Sequence, residues 1–160
     1  MKTPVYIETS VISYLAARPS RDLIVAAHQQ LSHEWWSIRH EWNLSISALV
    51  IEEAKAGDVG AAKRRLNRLE GLPVLHMTDR ALDLSMRLIA GAALPEKARE
   101  DAVHIALAAA HGQDYLLTWN CKHIANATKR PLIERICASV GCAPPIICTP
   151  EELLGDRDVD

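Results

Sequence analysis

Five short runs of strand-forming residues, separated by four segments long enough for helices, set the tightest limit on this 160-residue chain. The runs are residues 5–8, the "NLSIS" ending at Ser47, "LPVLHM", "YLLT" and "PIICT". Strands joined by helices rather than by tight turns pair in parallel, because a parallel pair needs a crossover connection. The sequence therefore predicts an α/β fold with a mostly parallel, twisted sheet of about four to five strands flanked by helices. The length supports one core, so residues 1–154 read as a single domain and residues 155–160 as an acidic tail outside it.

The connecting segments carry their own signals. Thr9 or Ser10 is placed to cap a short helix reaching about Ala17. After Pro19, Ser20 or Asp22 starts a long helix, with Leu23, Ala26, Ala27, Gln30 and Leu31 spaced as one apolar face. Trp35, Trp36 and Trp42 crowd its end in a chain without phenylalanine, filling core or a partner surface. Gly57 and Gly71 close the next two helices. The second of these carries Leu66 and Leu69 beside a stripe of Lys63, Arg64, Arg65 and Arg68. The Ala-rich segment from Asp101 to Gly112 is apolar nearly all round, which predicts burial on most sides.

Composition removes several classes. Net charge is −2 with a pI of about 6.4, so polyanion binding would need a local patch or bound cations. The sequence shows no secretory leader and no apolar window long enough for a membrane span, so a cytoplasmic protein without a membrane partner is expected. Cys121, Cys137, Cys142 and Cys148 lack C-x-x-C spacing and read as free, mostly packed thiols. Neither a P-loop nor a dinucleotide-binding glycine motif is present.

A few acidic residues fall where solvated helix faces do not. Glu8 closes the first strand, Glu52 and Glu53 lie just past the second, Asp101 opens the Ala-rich helix, and Asn120 follows the fourth strand. In an open parallel sheet these positions meet at the carboxyl ends of the strands, where ligands bind. Carboxylates converging there repel one another unless a cation compensates, and hard divalent cations take such oxygen ligands. Taken singly, each has a plainer role as a helix-dipole partner or a turn residue.

"YIETSVISYL", "ISALVIEEAKAG", "EDAVHIALAAAHGQDYLLTWN" and "CKHIAN" together resemble the PIN-domain ribonucleases, and within them the VapC-like toxins of toxin–antitoxin modules. The resemblance covers about residues 4–150 and implies a PIN-like α/β/α sandwich. It implies that Glu8, Glu53, Asp101 and Asn120 form a catalytic site binding Mg²⁺ or Mn²⁺, with Glu52 turned about 100° away on its helix. Two positions depart from the usual pattern: Glu8 stands where aspartate is usual, and Asn120 is neutral where many relatives carry an acid.

The implied activity is metal-dependent endoribonuclease cleavage, with Asp101 and Glu8 holding the principal cation and Glu53 orienting the attacking water. Thr9, Ser10 and Thr118 would position phosphate, and Lys122, His123, Lys129 and Arg130 either contact it or form a solvated loop. The basic stripe is either a solvated face or an RNA-reaching arm. His104, on the same helix face as Asp101, reads as a buried hydrogen-bonded residue ahead of a catalytic one. The implied partners are RNA, a cognate antitoxin and a second copy in a homodimer. Two other readings compete. One is a PIN-like RNA-binding or scaffold module with little or no catalysis. The other is a phosphohydrolase of the haloacid-dehalogenase type, which lacks its Asp-x-Asp here.

Overall fold

The computed structural model describes residues 1–155; the rest of the expected acidic tail lies outside the described residues. Five strands form one sheet: β1 (Pro4–Ile7), β2 (Asn43–Ser47), β3 (Val74–Leu75), β4 (Tyr115–Leu117) and β5 (Ile146–Cys148). Their order is β3-β2-β1-β4-β5 and every pairing is parallel. The expected α/β fold is thus the observed one. The strands are short, and β3 keeps only two residues of the run expected for it.

The helices are α1 (Thr9–Ala16), α2 (Leu23–Ser37), α3 (Ala48–Ala54), α4 (Val59–Leu69), α5 (Asp79–Ala90), α6 (Arg99–Ala110), α7 (Arg130–Ser139) and α8 (Pro150–Leu154). In packing, α1 lies against α2, α3 and α4, and α2 against α8, while α5 lies against α6 and α7. Val5, Tyr6 and Ile7 of β1 are all fully buried, as a central parallel strand covered on both faces requires. No helix among the described residues is long and apolar enough to cross a membrane.

Two sequence expectations change at the helices. The cap of α1 is neither Thr9 nor Ser10 but Glu8, whose carboxylate accepts from the Ser10 backbone N–H at 2.9 Å. Its extended backbone and longer side chain bring it into the cap position one residue early. In α2, capped by Asp22, the buried face is Gln29, Ser32, Trp35 and Trp36, while Leu23, Ala27 and Gln30 are exposed. The two tryptophans set the rotation of the helix, because burying an indole outweighs burying an alanine. Trp42 packs edge-on against Tyr115, so all three tryptophans of this region go inward.

The basic stripe of α4 also has a structural use. Arg64 Nε donates to the Ala16 carbonyl at 3.1 Å, and Arg65 donates to the carbonyls of Ala54 and Ala56. These guanidinium groups satisfy carbonyls that α1 and α3 leave open at their C-termini. Arg64 and Arg65 are therefore half-buried tethers, and only Lys63 of the stripe is exposed.

Candidate active site at the strand switch point

β1 is the strand from which the chain builds outward in both directions. Its neighbours are β2 on one side and β4 on the other, so the strand order reverses between β1 and β4. The crevice at such a reversal is where open α/β sheets bind ligands. Register places Ile7 opposite Leu117, so Glu8 and Thr118 leave the sheet side by side. The Glu8 N–H still donates to the Leu117 carbonyl at 3.0 Å.

Glu8 is 5% exposed and held from several sides. Its Oε1 accepts from Ser10 Oγ at 2.6 Å and from Thr118 Oγ1, while Oε2 takes the Ser10 backbone N–H. Each hydroxyl then accepts in turn. Ser10 Oγ takes the Trp119 N–H at 2.8 Å, and Thr118 Oγ1 takes the Asn120 N–H at 2.9 Å. One carboxylate thereby fixes both the start of α1 and the loop leaving β4. A carboxylate oxygen has two lone pairs. Oε1 is filled, and among the described residues Oε2 keeps one lone pair.

Glu53, in the last turns of α3, is reached by two donors on the same oxygen. Thr9 Oγ1 donates to Oε1 at 2.7 Å, and His104 Nε2 lies 2.6 Å from it. Burial alone would raise its carboxyl, but the His104 hydrogen bond and charge, with Thr9, hold it below the usual range. It is therefore ionised, and the imidazole Nε2 carries the proton of that contact. Glu53 Oε2 has no protein partner among the described residues. Glu52 points away and pairs with Lys55 at the surface.

Asp101 lies in the first turn of α6, where the helix N-terminus favours an acid. Its carboxyl is nevertheless held above the ordinary range, by burial first, against a lowering hydrogen bond from the Asn120 side chain. The charge of Glu8 raises it further, while His104 and His123 lower it. A carboxylate can only accept, so Asn120 faces Asp101 with its amide N–H₂. Its Oδ1 is used to accept the His123 backbone N–H at 3.0 Å, which turns the loop.

The remaining predicted residues separate into those near this cluster and those used elsewhere. His123 is half-buried and acts on Asp101, while Lys122 and Lys129 are exposed on the same loop. Arg130 sits at the start of α7 and donates to the Ile147 carbonyl of β5 at 3.2 Å, a tether rather than a free rim cation. Cys137, Cys142 and Cys148 are buried free thiols and Cys121 is exposed. Burial pushes Cys137 up to about 11 and Cys148 up to about 12, so both stay protonated.

Sequence reasoning missed Tyr6 and Trp119. Tyr6 is fully buried in β1, with its hydroxyl 2.8 Å from Ser47 Oγ and 2.7 Å from His104 Nδ1. A tyrosine inside an aliphatic strand was the available signal, since a buried phenol needs a partner. Trp119 stands between Thr118 and Asn120, stacks on His28 with ring centroids 4.0 Å apart, and donates to Ser32 Oγ at 2.7 Å. It pins the post-β4 loop to α2.

A hard divalent cation suits this set in kind. The donors are oxygens, Glu53 and Asp101 retain accepting capacity, and Asp101 is held above its ordinary range by burial and then by the charge of Glu8. Among the described residues, however, no three His, Cys, Asp or Glu side chains are gathered into a ready metal-binding group.

The all-parallel five-stranded sheet flanked by helices, with its acidic crevice at the β1/β4 edge, defines an α/β/α fold of the PIN-like kind. One solved structure that shares it is the crystal structure of VapBC2 from Rickettsia felis bound to a DNA fragment from their promoter. The two superpose with a TM-score of 0.60 over 92% of this chain and 98% of that one, at 13% sequence identity. At that identity the likeness is one of fold. No family model matches the sequence, and no curated protein matches it.

Proposed function

We propose that this protein is a divalent-metal-dependent endoribonuclease, acting as the toxin of a toxin–antitoxin pair in the cytoplasm. The observation that carries the reading is the acid cluster at the sheet's switch point, with Asp101 held protonation-prone by burial and by Glu8. A cation taken up between Glu8 and Asp101 would relieve the repulsion between them. Mg²⁺ or Mn²⁺ held by Asp101, Glu53 and the free lone pair of Glu8 would supply electrophilic stabilisation of a phosphodiester under attack by water. The protein's own groups then have separable tasks. Glu53 Oε2 accepts from the attacking water, Asn120 steers Asp101, and Lys122, His123 and Lys129 on the adjoining loop meet the phosphate backbone. The PIN-like fold shared with a VapBC2 structure supports an antitoxin partner, and a homodimer is proposed from the sequence resemblance alone.

The second reading, a PIN-like RNA-binding or scaffold module with little catalysis, draws on the hydrogen bonds that saturate Oε1 of Glu8. One assay separates them: cleavage of a mixed RNA pool with Mn²⁺, Mg²⁺ or EDTA, comparing the wild type with Asp101→Asn. Metal-dependent cleavage that disappears in Asp101→Asn supports the nuclease. RNA binding without cleavage under any metal supports the scaffold, and cleavage unaltered in Asp101→Asn removes the proposed site.

A further inference from the structure

We infer that His104 and Tyr6 are positioning residues that lock Glu53 in one orientation, reserving its Oε2 for the crevice. The inference rests on Glu53 belonging to the proposed site, and it goes beyond that reading by naming what holds Glu53 in place.

His104 is fully buried on α6 among Ala102, Ile105 and Ala106, where an aliphatic side chain would pack without needing partners. A buried imidazole survives there only with both nitrogens engaged. Both are. Nε2 meets Glu53 at 2.6 Å and Nδ1 meets the Tyr6 hydroxyl at 2.7 Å. Tyr6 is equally buried and passes the chain to Ser47 Oγ at 2.8 Å. Ser47 is the N-cap of α3, accepting from the Val50 N–H, and α3 is the helix that carries Glu53.

The four side chains and α3 therefore form a closed ring. It runs from the cap of α3, through β1 and α6, and back to the last turns of α3. This fixes both the helix and the side chain at its far end. The ring reaches solvent only at Glu53, whose side chain is 33% exposed while that of His104 is 0% exposed. Thr9 adds a second donor to the same Oε1, from the residue after Glu8. With Oε1 occupied twice, Oε2 is the oxygen left to act. Oε1 already accepts from Thr9, so Nε2–H is the donor of the His104 contact, and the chain closes through the Tyr6 hydroxyl and Ser47.

The geometry yields a pair of informative variants. A glutamine places its amide where the imidazole Nε2 lies, and an asparagine places its amide where Nδ1 lies. His104→Gln keeps the donor to Glu53, whereas His104→Asn keeps only the link to Tyr6. We expect Mn²⁺ titration by calorimetry to give His104→Gln a Kd within about threefold of wild type. His104→Asn should weaken it by about tenfold or more, the range seen when a ligand's outer partner is removed. Tyr6→Phe should fall between.

A metal-free readout runs beside it. The proton NMR spectrum of the wild type should contain a downfield, slowly exchanging imidazole N–H that is lost in Glu53→Ala. Equal Mn²⁺ affinities in folded Gln and Asn variants, or a wild-type spectrum without that proton, overturn the inference. If the proton is present and Glu53-dependent but the wild type binds no Mn²⁺, the positioning stands and the metal-nuclease reading falls. Should both His104 variants fail to fold, the wild-type and Glu53→Ala spectra still decide.

Discussion

The two sides of the crevice use their acids in opposite ways. On the β1 side, Glu8 is buried and surrounded by donors: Ser10 contributes its backbone N–H and hydroxyl, and Thr118 contributes its hydroxyl. On the α6 side, Asp101 has the Asn120 amide as a donor, but burial and the charge of Glu8 still hold it above its ordinary range. One acid is a structural clamp that joins a helix cap to a strand end. The other is a buried acid with fewer donors than its charge would take. Both are carboxylates at the ends of elements, and residue type alone does not separate them. The difference lies in the number of hydroxyl and amide donors that the fold brings to each.

The largest break of this contrast is at Asp101. In Asp101→Asn, Mn²⁺-dependent RNA cleavage should drop by at least about 100-fold, more than loss of an outer partner produces. A gel assay over metal concentration measures it, and residual cleavage near wild type would remove Asp101 from the chemistry.

Glu8 should fail in the other currency, stability. Glu8→Ala removes the α1 cap and leaves Ser10 and Thr118 without their acceptor, costing about 1–2 kcal/mol in urea unfolding. Glu8→Asp sharpens the contrast. Its carboxylate is shorter by one C–C bond, roughly 1.5 Å, so it loosens the clamp. It should lose less than about 1 kcal/mol of stability. Because the loosened carboxylate is then free to accept a cation, calorimetry should show tighter Mn²⁺ binding. Binding weaker than wild type would mean that the longer arm is itself needed.

Arg64 offers a smaller test, of the basic stripe rather than the acids. Arg64→Ala removes a tether to the Ala16 carbonyl and should cost about 0.5–1 kcal/mol while leaving RNA affinity unchanged. A marked loss of RNA binding would restore the RNA-arm role.

The smallest effect concerns pH. The Asp101 carboxyl is raised in the folded protein, so between its unfolded and folded values the native state binds the extra proton. Stability contributed by this group therefore falls as pH rises through that window and stays lower at neutral pH. Metal-free Asp101→Asn should melt about 1–2 °C above wild type at pH 7, with the gap closing in acid. Glu53 works in the reverse sense: its lowered carboxyl adds stability at neutral pH that is lost as pH falls through the folded value.

The fold was legible in the sequence because each strand and helix is announced within its own few residues. "NLSIS" is β2 to the residue, and Asp22, Asp58 and Thr78 cap the helices they precede. The rotation of α2 was not legible. Leu23 and Ala27 fit an apolar stripe as well as Ser32 and Trp36 do, and tertiary packing chose between them. The tether roles of Arg64 and Arg130 were hidden for the same reason, since their carbonyl partners lie 48 and 17 residues away. The places of Glu8, Glu53 and Asp101 at the ends of strands and helices were legible, but not the hydrogen bonds that each would make. Glu8 Oε1 is filled by Thr118 from 110 residues away, and His104 is tied to Tyr6 across 98.

That long reach from Glu8 to Thr118 has a consequence for how the molecule is made. β1 is synthesised first, yet one of its edges has no partner until β4 is complete. Chains emerge from the N-terminus, and pairings between distant segments form late. A nascent chain that has passed Asp101 but not reached Leu117 carries Glu8, Glu53 and Asp101 without the strand and loop that complete the crevice. The crevice is therefore assembled by the closing of the sheet, and a translation product interrupted in that interval has all three acids and no crevice around them.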